Sequence, residues 1–399
     1  MSSASLYRIP IVDLRAQYGK IRNELRQAID EVAEAQQFIL GPAVKRFEEQ
    51  MAVYLGCEHA VGVASGSDAL LLSLMALGIG PGDAVVVTPF TFFSTVSSIT
   101  RVGATPLFVD IEVDRHLLSA QSVQDFLTER AETKNGCTVD SMTGLRLKAI
   151  LPVHLFGECC AMDEFLTLAE KYHLRIVEDV AQACGARMAI DGKTKFAGTI
   201  GDLGCFSFFP SKTLGGFGDG GLVTTKDSEL AGKFRMLRMH GESRKYHHDL
   251  TGINSRLDSL QAAVLSVKQR YLDEWCEQRT QRANSYHELL GQTDLVGRGV
   301  LTIPPPNADK SHVFNNYVIR AASRDELKQF LAEAGIQSEI YYPLPLHLQT
   351  CFADLGYKRG DFPNSELAAS QVLALPLYPE ITPAQQEQVA ERIQAFYRC

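Results

Sequence analysis

Short, wholly apolar runs alternate with helical patterns through the first two-thirds of the chain, and few folds accommodate that rhythm. Ala60-Val61-Gly62-Val63 is followed by the turn Ser65-Gly66-Ser67-Asp68 and an apolar helical stretch over 69–77. A tight turn at Pro81-Gly82-Asp83 leads into Ala84-Val85-Val86-Val87-Thr88. Further strand candidates lie at 105–109, 149–153, 175–178, 205–209 and 222–225. Strands that are apolar on both faces need cover on both sides. The pattern therefore predicts an α/β fold with a mainly parallel central sheet.

Two helices precede the first strand. One spans 13–38 with Leu14, Ile21, Leu25, Ala28, Ile29 and Val32 at helical spacing, and Gly41-Pro42 ends it. The second spans 44–54 and stops at Gly56. A polar stretch near 130–145 interrupts the alternation and reads as a surface insertion or a mobile loop. A single long helical pattern then covers 255–290, and Pro304-Pro305-Pro306 breaks the chain. What remains reads as strand, helix (325–334), proline-punctuated loop and final helix. The expected division is a large domain over 1–260, N-terminal helices included, and a smaller C-terminal α+β domain over 261–399.

Charge and cysteine content narrow the function classes. Among 399 residues, 39 Lys+Arg stand against 47 Asp+Glu, a formal net charge of −8 that argues against a nucleic-acid partner. No apolar run approaches the roughly 18 residues a membrane span requires. The start, Met1-Ser2-Ser3-Ala4-Ser5-Leu6-Tyr7-Arg8, lacks a basic segment leading into an apolar one, so a cytoplasmic protein is expected. Nine cysteines show no repeated CxxC spacing, which favours reduced thiols. Cys159-Cys160 lies near His154 but has no second ligand pair, so no metal is expected.

Ligands of open α/β sheets bind beyond the carboxyl ends of the strands, and four features fall there. Ser65-Gly66-Ser67-Asp68 opens a helix, either as an ordinary cap or as an anion cradle of free N–H groups. Glu178-Asp179 closes a buried strand, as a structural ion pair or as the partner of a cationic ring nitrogen. Lys212 follows the aromatic strand end Phe206-Ser207-Phe208-Phe209-Pro210-Ser211. It precedes the glycine-rich run Gly215-Gly216-Phe217-Gly218-Asp219-Gly220-Gly221. A lysine in such a cleft loses its proton readily and attacks carbonyls. Phe90-Thr91-Phe92-Phe93 is a core cluster or a face that stacks on a planar ring. Taken together these are the parts that pyridoxal 5′-phosphate requires.

The same motifs, with Asp13-Leu14-Arg15-Ala16-Gln17-Tyr18, Ile39-Leu40-Gly41-Pro42, Glu178-Asp179-Val180-Ala181-Gln182 and Asn254-Ser255-Arg256-Leu257-Asp258, span nearly the whole chain. In that order the sequence resembles the DegT/DnrJ/EryC1/StrS group of pyridoxal-phosphate-dependent sugar aminotransferases, of fold type I, the aspartate aminotransferase fold. The resemblance implies that Lys212 forms the Schiff base and that Asp179 pairs with the pyridine nitrogen. It implies that Gln182 meets the ring or its 3-hydroxyl and that Phe92 stacks on it. Gly66, Ser67, Asp68 and Ser207 would hold the phosphate, with Asn254 reaching it from the other subunit of a homodimer. The sequence departs from many relatives at Cys184, where they carry His, and at Thr213, often Asn or Pro.

The implied reaction moves an amino group from L-glutamate to a keto nucleotide sugar. Lys245-Tyr246-His247-His248 and Arg256 gather cationic and aromatic groups suited to a diphosphate and a sugar, or form a solvated loop. Tyr341-Tyr342-Pro343-Leu344-Pro345-Leu346-His347 would present Tyr342 and His347 to the sugar, or pack the domains together. His154 lines the pocket or is a satisfied structural histidine. Resemblance in these stretches implies amination at C3 of a UDP-linked 3-keto-N-acetylhexosamine or a dTDP-linked 3-keto-6-deoxyhexose. The product would feed lipopolysaccharide, O-antigen or other amino-sugar synthesis. A 4-keto acceptor and a non-catalytic regulator of the same fold are the alternatives.

Overall fold

The computed structural model describes residues 7–134, 136–306 and 310–398, so most of the stretch searched for a leader segment lies outside the described residues. Helices α1 (Leu14–Ala35) and α2 (Pro42–Leu55) open the chain. Asp13 caps α1 by accepting from the N–H groups of Arg15 and Ala16. Pro42 sits in the first turn of α2, where its missing donor costs nothing. There follow β1 (His59–Val63), α3 (Gly66–Ala76), β2 (Asp83–Val87), α4 (Phe93–Arg101) and β3 (Thr105–Phe108). Next come α5 (Ala120–Arg130), β4 (Ala131–Lys134), β5 (Cys137–Asp140), β6 (Arg146–Leu151), α6 (Met162–Tyr172) and β7 (Arg175–Asp179). A hairpin of β8 (Arg187–Ile190) and β9 (Lys193–Phe196) precedes β10 (Leu203–Ser207), β11 (Gly221–Thr225) and α7 (Ser228–Leu237).

The main sheet runs in the order β1-β11-β10-β7-β6-β2-β3. From β10 to β3 every neighbour is parallel, whereas β11 is antiparallel to both β10 and β1. Val85, Val86, Ile150, Leu151, Val177 and Phe206 are fully buried because helices cover both faces. Each such side chain contributes roughly 1.5–3 kcal/mol of transfer free energy, and the apolar runs are strands for that reason.

Two expectations need correction. Of the two readings of the polar stretch near 130–145 the surface insertion holds and the mobile loop does not: among the described residues β4 and β5 pair antiparallel, and β5 continues onto β6. Fully buried Asp140 ties it down, accepting from Arg130 Nε at 2.7 Å, Arg130 Nη2 at 2.8 Å and the Thr143 N–H at 3.0 Å. The long helical pattern over 255–290 is likewise two helices.

A short hairpin, β12 (Glu242–Arg244) and β13 (His247–His248), leads to α8 (Ser259–Gln269) and α9 (Leu272–Gly291), which part at Arg270-Tyr271. Helix α8 packs on α1 and α2. A small second sheet is antiparallel: β14 (Leu301–Thr302), β15 (Tyr317–Ala321) and β16 (Val372–Leu375). Around it lie a short α10 (Asp294–Gly297), α11 (Arg324–Glu333), α12 (Pro363–Gln371) and α13 (Pro383–Arg398). Tyr286, Phe314, Tyr317, Leu331, Leu373 and Ile393 form its own buried cluster. Among the described residues no helix is long and apolar enough to cross a membrane.

Candidate active site

A cavity of about 470 Å³ opens beyond the carboxyl ends of β2, β6, β7 and β10, against the smaller sheet's connecting loops. Its lining includes Ser65, Gly66, Ser67, Phe92, Asp179, Gln182, Ser207 and Lys212. One wall is the first turn of α3. Ser65 Oγ accepts from the Asp68 N–H at 3.1 Å, which satisfies one donor and leaves its neighbours pointing at the cavity. Gly66 is required here because a Cβ would stand 2.6 Å from Ser207 Cβ. Ser67 Oγ meets Ser94 Oγ at 2.6 Å, and Ser211 adds a further hydroxyl to the lining.

Strand β7 ends in adjacent carboxylates, and strand alternation sends them apart. Glu178 turns away and is fully satisfied by the N–H groups of Gly198, Ile200 and Gly201 and by His154. Asp179 faces the cavity, accepting from the Ala181 N–H at 3.1 Å and from the Thr95 hydroxyl at 2.8 Å. Thr95 in turn meets Thr91 at 2.9 Å. Burial pushes the Asp179 carboxyl above its ordinary range, against those two hydrogen bonds and the attraction of Lys212. A buried carboxylate supported by neutral donors suits a cationic ligand atom.

Lys212 sits in a loop held by its own backbone: its N–H donates to Phe209 O at 2.9 Å and that of Gly216 to Phe208 O at 2.8 Å. Buried Lys268 fastens the same loop, its Nζ donating to Gly215 O at 2.7 Å. Desolvation pulls the Lys212 pKa down to about 8, with Asp179 opposing the change. At neutral pH a usable fraction of the amine is free of its proton. Phe92, 56% exposed, lies 6.0 Å from the Tyr342 ring at the cavity mouth. Gln182 is engaged at both ends: Oε1 accepts from the Phe156 N–H at 2.6 Å, and Nε2 donates to the Tyr342 hydroxyl at 3.3 Å.

The model of one protein family, described as the DegT/DnrJ/EryC1/StrS aminotransferase family, matches residues 19–394. The chain belongs to that family. A Geobacillus stearothermophilus relative named pleiotropic regulatory protein is 44% identical, over 98% of this chain and 99% of its own. An Acidithiobacillus ferrooxidans relative named UDP-N-acetyl-3-dehydro-alpha-D-glucosamine 3-aminotransferase is 41% identical, over 96% and 95%. Other relatives' names cover both UDP- and dTDP-linked amino sugars. Among solved structures, DesV of S. venezuelae in complex with a ketimine intermediate superposes with a TM-score of 0.88. It is 37% identical, over 98% of this chain and 99% of that one.

As a member of this family the chain is an aminotransferase that uses pyridoxal phosphate, and its cavity fits that cofactor. The space denied to a Cβ at Gly66, the free donors of α3 and the buried Asp179 each match a part of it.

The structure does not bring every candidate into this cavity. His154 lines it, but Nδ1 accepts from the Cys160 N–H and Nε2 donates to Glu178, which leaves neither nitrogen free. Tyr342 lines the cavity; His347, from the same proline-rich loop, lies outside the lining, buried against Glu366 at 3.1 Å and the Phe362 ring. Lys245, Tyr246, His247 and His248 stand exposed on the β12–β13 hairpin, and Arg256 lies outside the lining of this chain's cavity. Asn254 is exposed and bridges to Met239. Asp68 lends its N–H to the Ser65 cap. Sequence reasoning passed over Thr95, Arg279, Asn315 and Lys268. Only Thr91 and Thr95, four residues apart at a helix start beside the aromatic run, carried a readable signal.

Proposed function

We propose that this aminotransferase transfers an amino group from L-glutamate to the carbonyl of a 3-keto nucleotide sugar, with a UDP-linked 3-keto-N-acetylhexosamine as the preferred acceptor. A dTDP-linked 3-keto-6-deoxyhexose is the alternative. The observation that carries the catalytic part is one cavity holding a lysine depressed to about 8 beside a buried carboxylate and a helix N-terminus. The acceptor class is supported by the names of the relatives.

When bound, pyridoxal phosphate supplies an electrophilic carbonyl carbon and an electron-accepting ring. The first turn of α3, with Ser67 and Ser207, would bind its phosphate. Asp179, steadied by Thr95 and the Ala181 N–H, would hold a proton on the ring nitrogen. Lys212 would hold the carbonyl carbon of the cofactor through Nζ, and its free amine would take a proton from the donor's α-carbon and deliver it to that cofactor carbon, on the far side of the transferred nitrogen. Gln182 and Tyr342 would orient the ring edge, and Phe92 would cover one face and exclude water. We also propose that Asn254 completes the site of a second copy in a homodimer, and that the product enters surface-polysaccharide or other amino-sugar synthesis.

The name of the Geobacillus relative raises a regulatory reading. A protein with no reaction to perform has no need of a half-desolvated lysine facing a buried acid. Half-reaction spectroscopy separates the readings. The protein is converted with L-glutamate, and a panel of 3-keto and 4-keto, UDP- and dTDP-linked sugars is asked to restore the starting spectrum. Recovery with a UDP-linked 3-keto sugar is expected; recovery with a 4-keto sugar alone would overturn the assignment.

A further inference from the structure

Two cations line the cavity among the described residues, Lys212 and Arg279. The first is committed to the cofactor. Arg279 comes from α9 and is only 4% exposed, with no carboxylate in ion-pair contact. The two hydrogens of its Nη1 are shared among three carbonyls, Leu377 O at 3.1 Å, Phe314 O at 3.2 Å and Asn315 O at 3.4 Å. Nε is buried without a partner, and Nη2 makes no hydrogen bond. Burial pulls its pKa down to about 10, which still leaves it charged at neutral pH. A guanidinium clamped by one nitrogen, with another unused at a cavity wall, is a donor waiting for an anion.

We infer that Arg279 is the seat for a carboxylate of the amino donor. It is bonded to Phe314, Asn315 and Leu377, of which Asn315 and Leu377 also line the cavity, and these belong to elements apart from the α3 turn assigned to the phosphate. The burial of Arg279, only 4% exposed, favours the donor over the acceptor. The α-carboxylate of an amino acid is attached to the carbon that bears the reacting nitrogen, so it must enter the site with it. The diphosphate of a nucleotide sugar is separated from a C3 carbonyl by part of the ring and belongs nearer the mouth. Asn315 and Asn316 add neutral amide groups to the same wall, with Asn315 Nδ2 donating to Asn316 Oδ1 at 2.7 Å.

This inference rests on the donor reading above, and the test keeps the two apart. Wild-type conversion by L-glutamate checks the donor; if another amino acid proves to be the donor, the same variants are assayed with that one. Arg279→Met should raise the donor concentration for half-maximal conversion about 10- to 100-fold. It should retain bound cofactor and leave the acceptor half-reaction within about twofold, and Arg279→Lys should fall between. An unchanged donor dependence, or equal losses in both half-reactions, would overturn the assignment. Should Arg279→Met fail to fold, Arg279→Lys decides: a several-fold weaker donor with an unaltered acceptor supports the role, and no change in donor dependence refutes it.

Discussion

Asp179 carries a charge into a wall that offers it two neutral donors and a lysine, and its folded pKa is raised because desolvation outweighs them. The sign of the consequence is fixed. Below the unfolded pKa both states are protonated and no penalty exists; as pH rises from there through the raised folded pKa, the cofactor-free protein acquires a poorly compensated buried charge and loses stability. Asp179→Asn preserves the acceptor for the Ala181 N–H and removes the charge. The cofactor-free variant should therefore melt about 1–3 °C above wild type at neutral pH. The gap should close in acid, and transamination should be lost. A variant that melts below wild type at neutral pH would show that the charge is well compensated. Lys212 makes the complementary case. With a pKa near 8, its unprotonated fraction grows about tenfold from roughly pH 7 to pH 9. Stopped-flow capture of pyridoxal phosphate by the cofactor-free protein should accelerate accordingly, and a flat profile would place the lysine in a different environment. That Lys212, Asp179, Gly66 and Ser207 meet in one cavity was legible because each closes or follows an apolar run at a strand end. Arg279 was not: within a helical pattern an arginine reads as solvated, and only the tertiary fold buries it.

Elements were legible where burial alone decides them. The strands of the main sheet are covered on both faces, so their apolar runs suffice to locate them. The β4–β5 hairpin is held by a different force. Arg130 and Asp140, ten residues apart, meet only once the hairpin has formed, and no local pattern announces that pairing. The break between α8 and α9 is equally tertiary, since the apolar spacing continues across Arg270-Tyr271 while the two helices pack on different partners. Burial works against the Asp140 charge, but the Arg130 and Thr143 bonds outweigh it and hold the carboxyl below its usual range. Its contribution is thus present above the unfolded pKa and lost as pH falls through the folded one. Asp140→Ala should cost about 1–3 kcal/mol by denaturant unfolding, with the difference fading in acid. Because β5 joins β6 at Arg146, the end remote from the cavity, turnover per folded molecule should not change. A drop in turnover without a drop in stability would mean that the hairpin communicates with the site.

At the scale of the whole molecule, the chain leaves large apolar side chains in contact with solvent: Phe92 and Phe209 at the cavity, and Phe38, Ile39, Phe217 and Tyr246 elsewhere. Isolated exposed apolar residues are ordinary, but aromatics left open at a catalytic mouth mark a surface that another chain can cover. Asn254 adds a second hint, being exposed and outside the lining of its own chain's cavity. If a two-fold dimer places it in the neighbouring site, the two defects Lys212→Ala and Asn254→Ala must complement each other. A mixed dimer of these variants pairs both lesions in one site and leaves the other intact. Random reassortment makes half of the dimers mixed, so the mixture should recover about a quarter of wild-type activity from two nearly inactive parents. Light scattering checks that the assembly is dimeric, and native mass spectrometry with one parent carrying a mass tag, which separates mixed from parental dimers, checks that subunits have exchanged. Activity equal to the mean of the unmixed parents, with exchange demonstrated, would mean that each chain builds its site alone and that the exposed aromatics serve another contact.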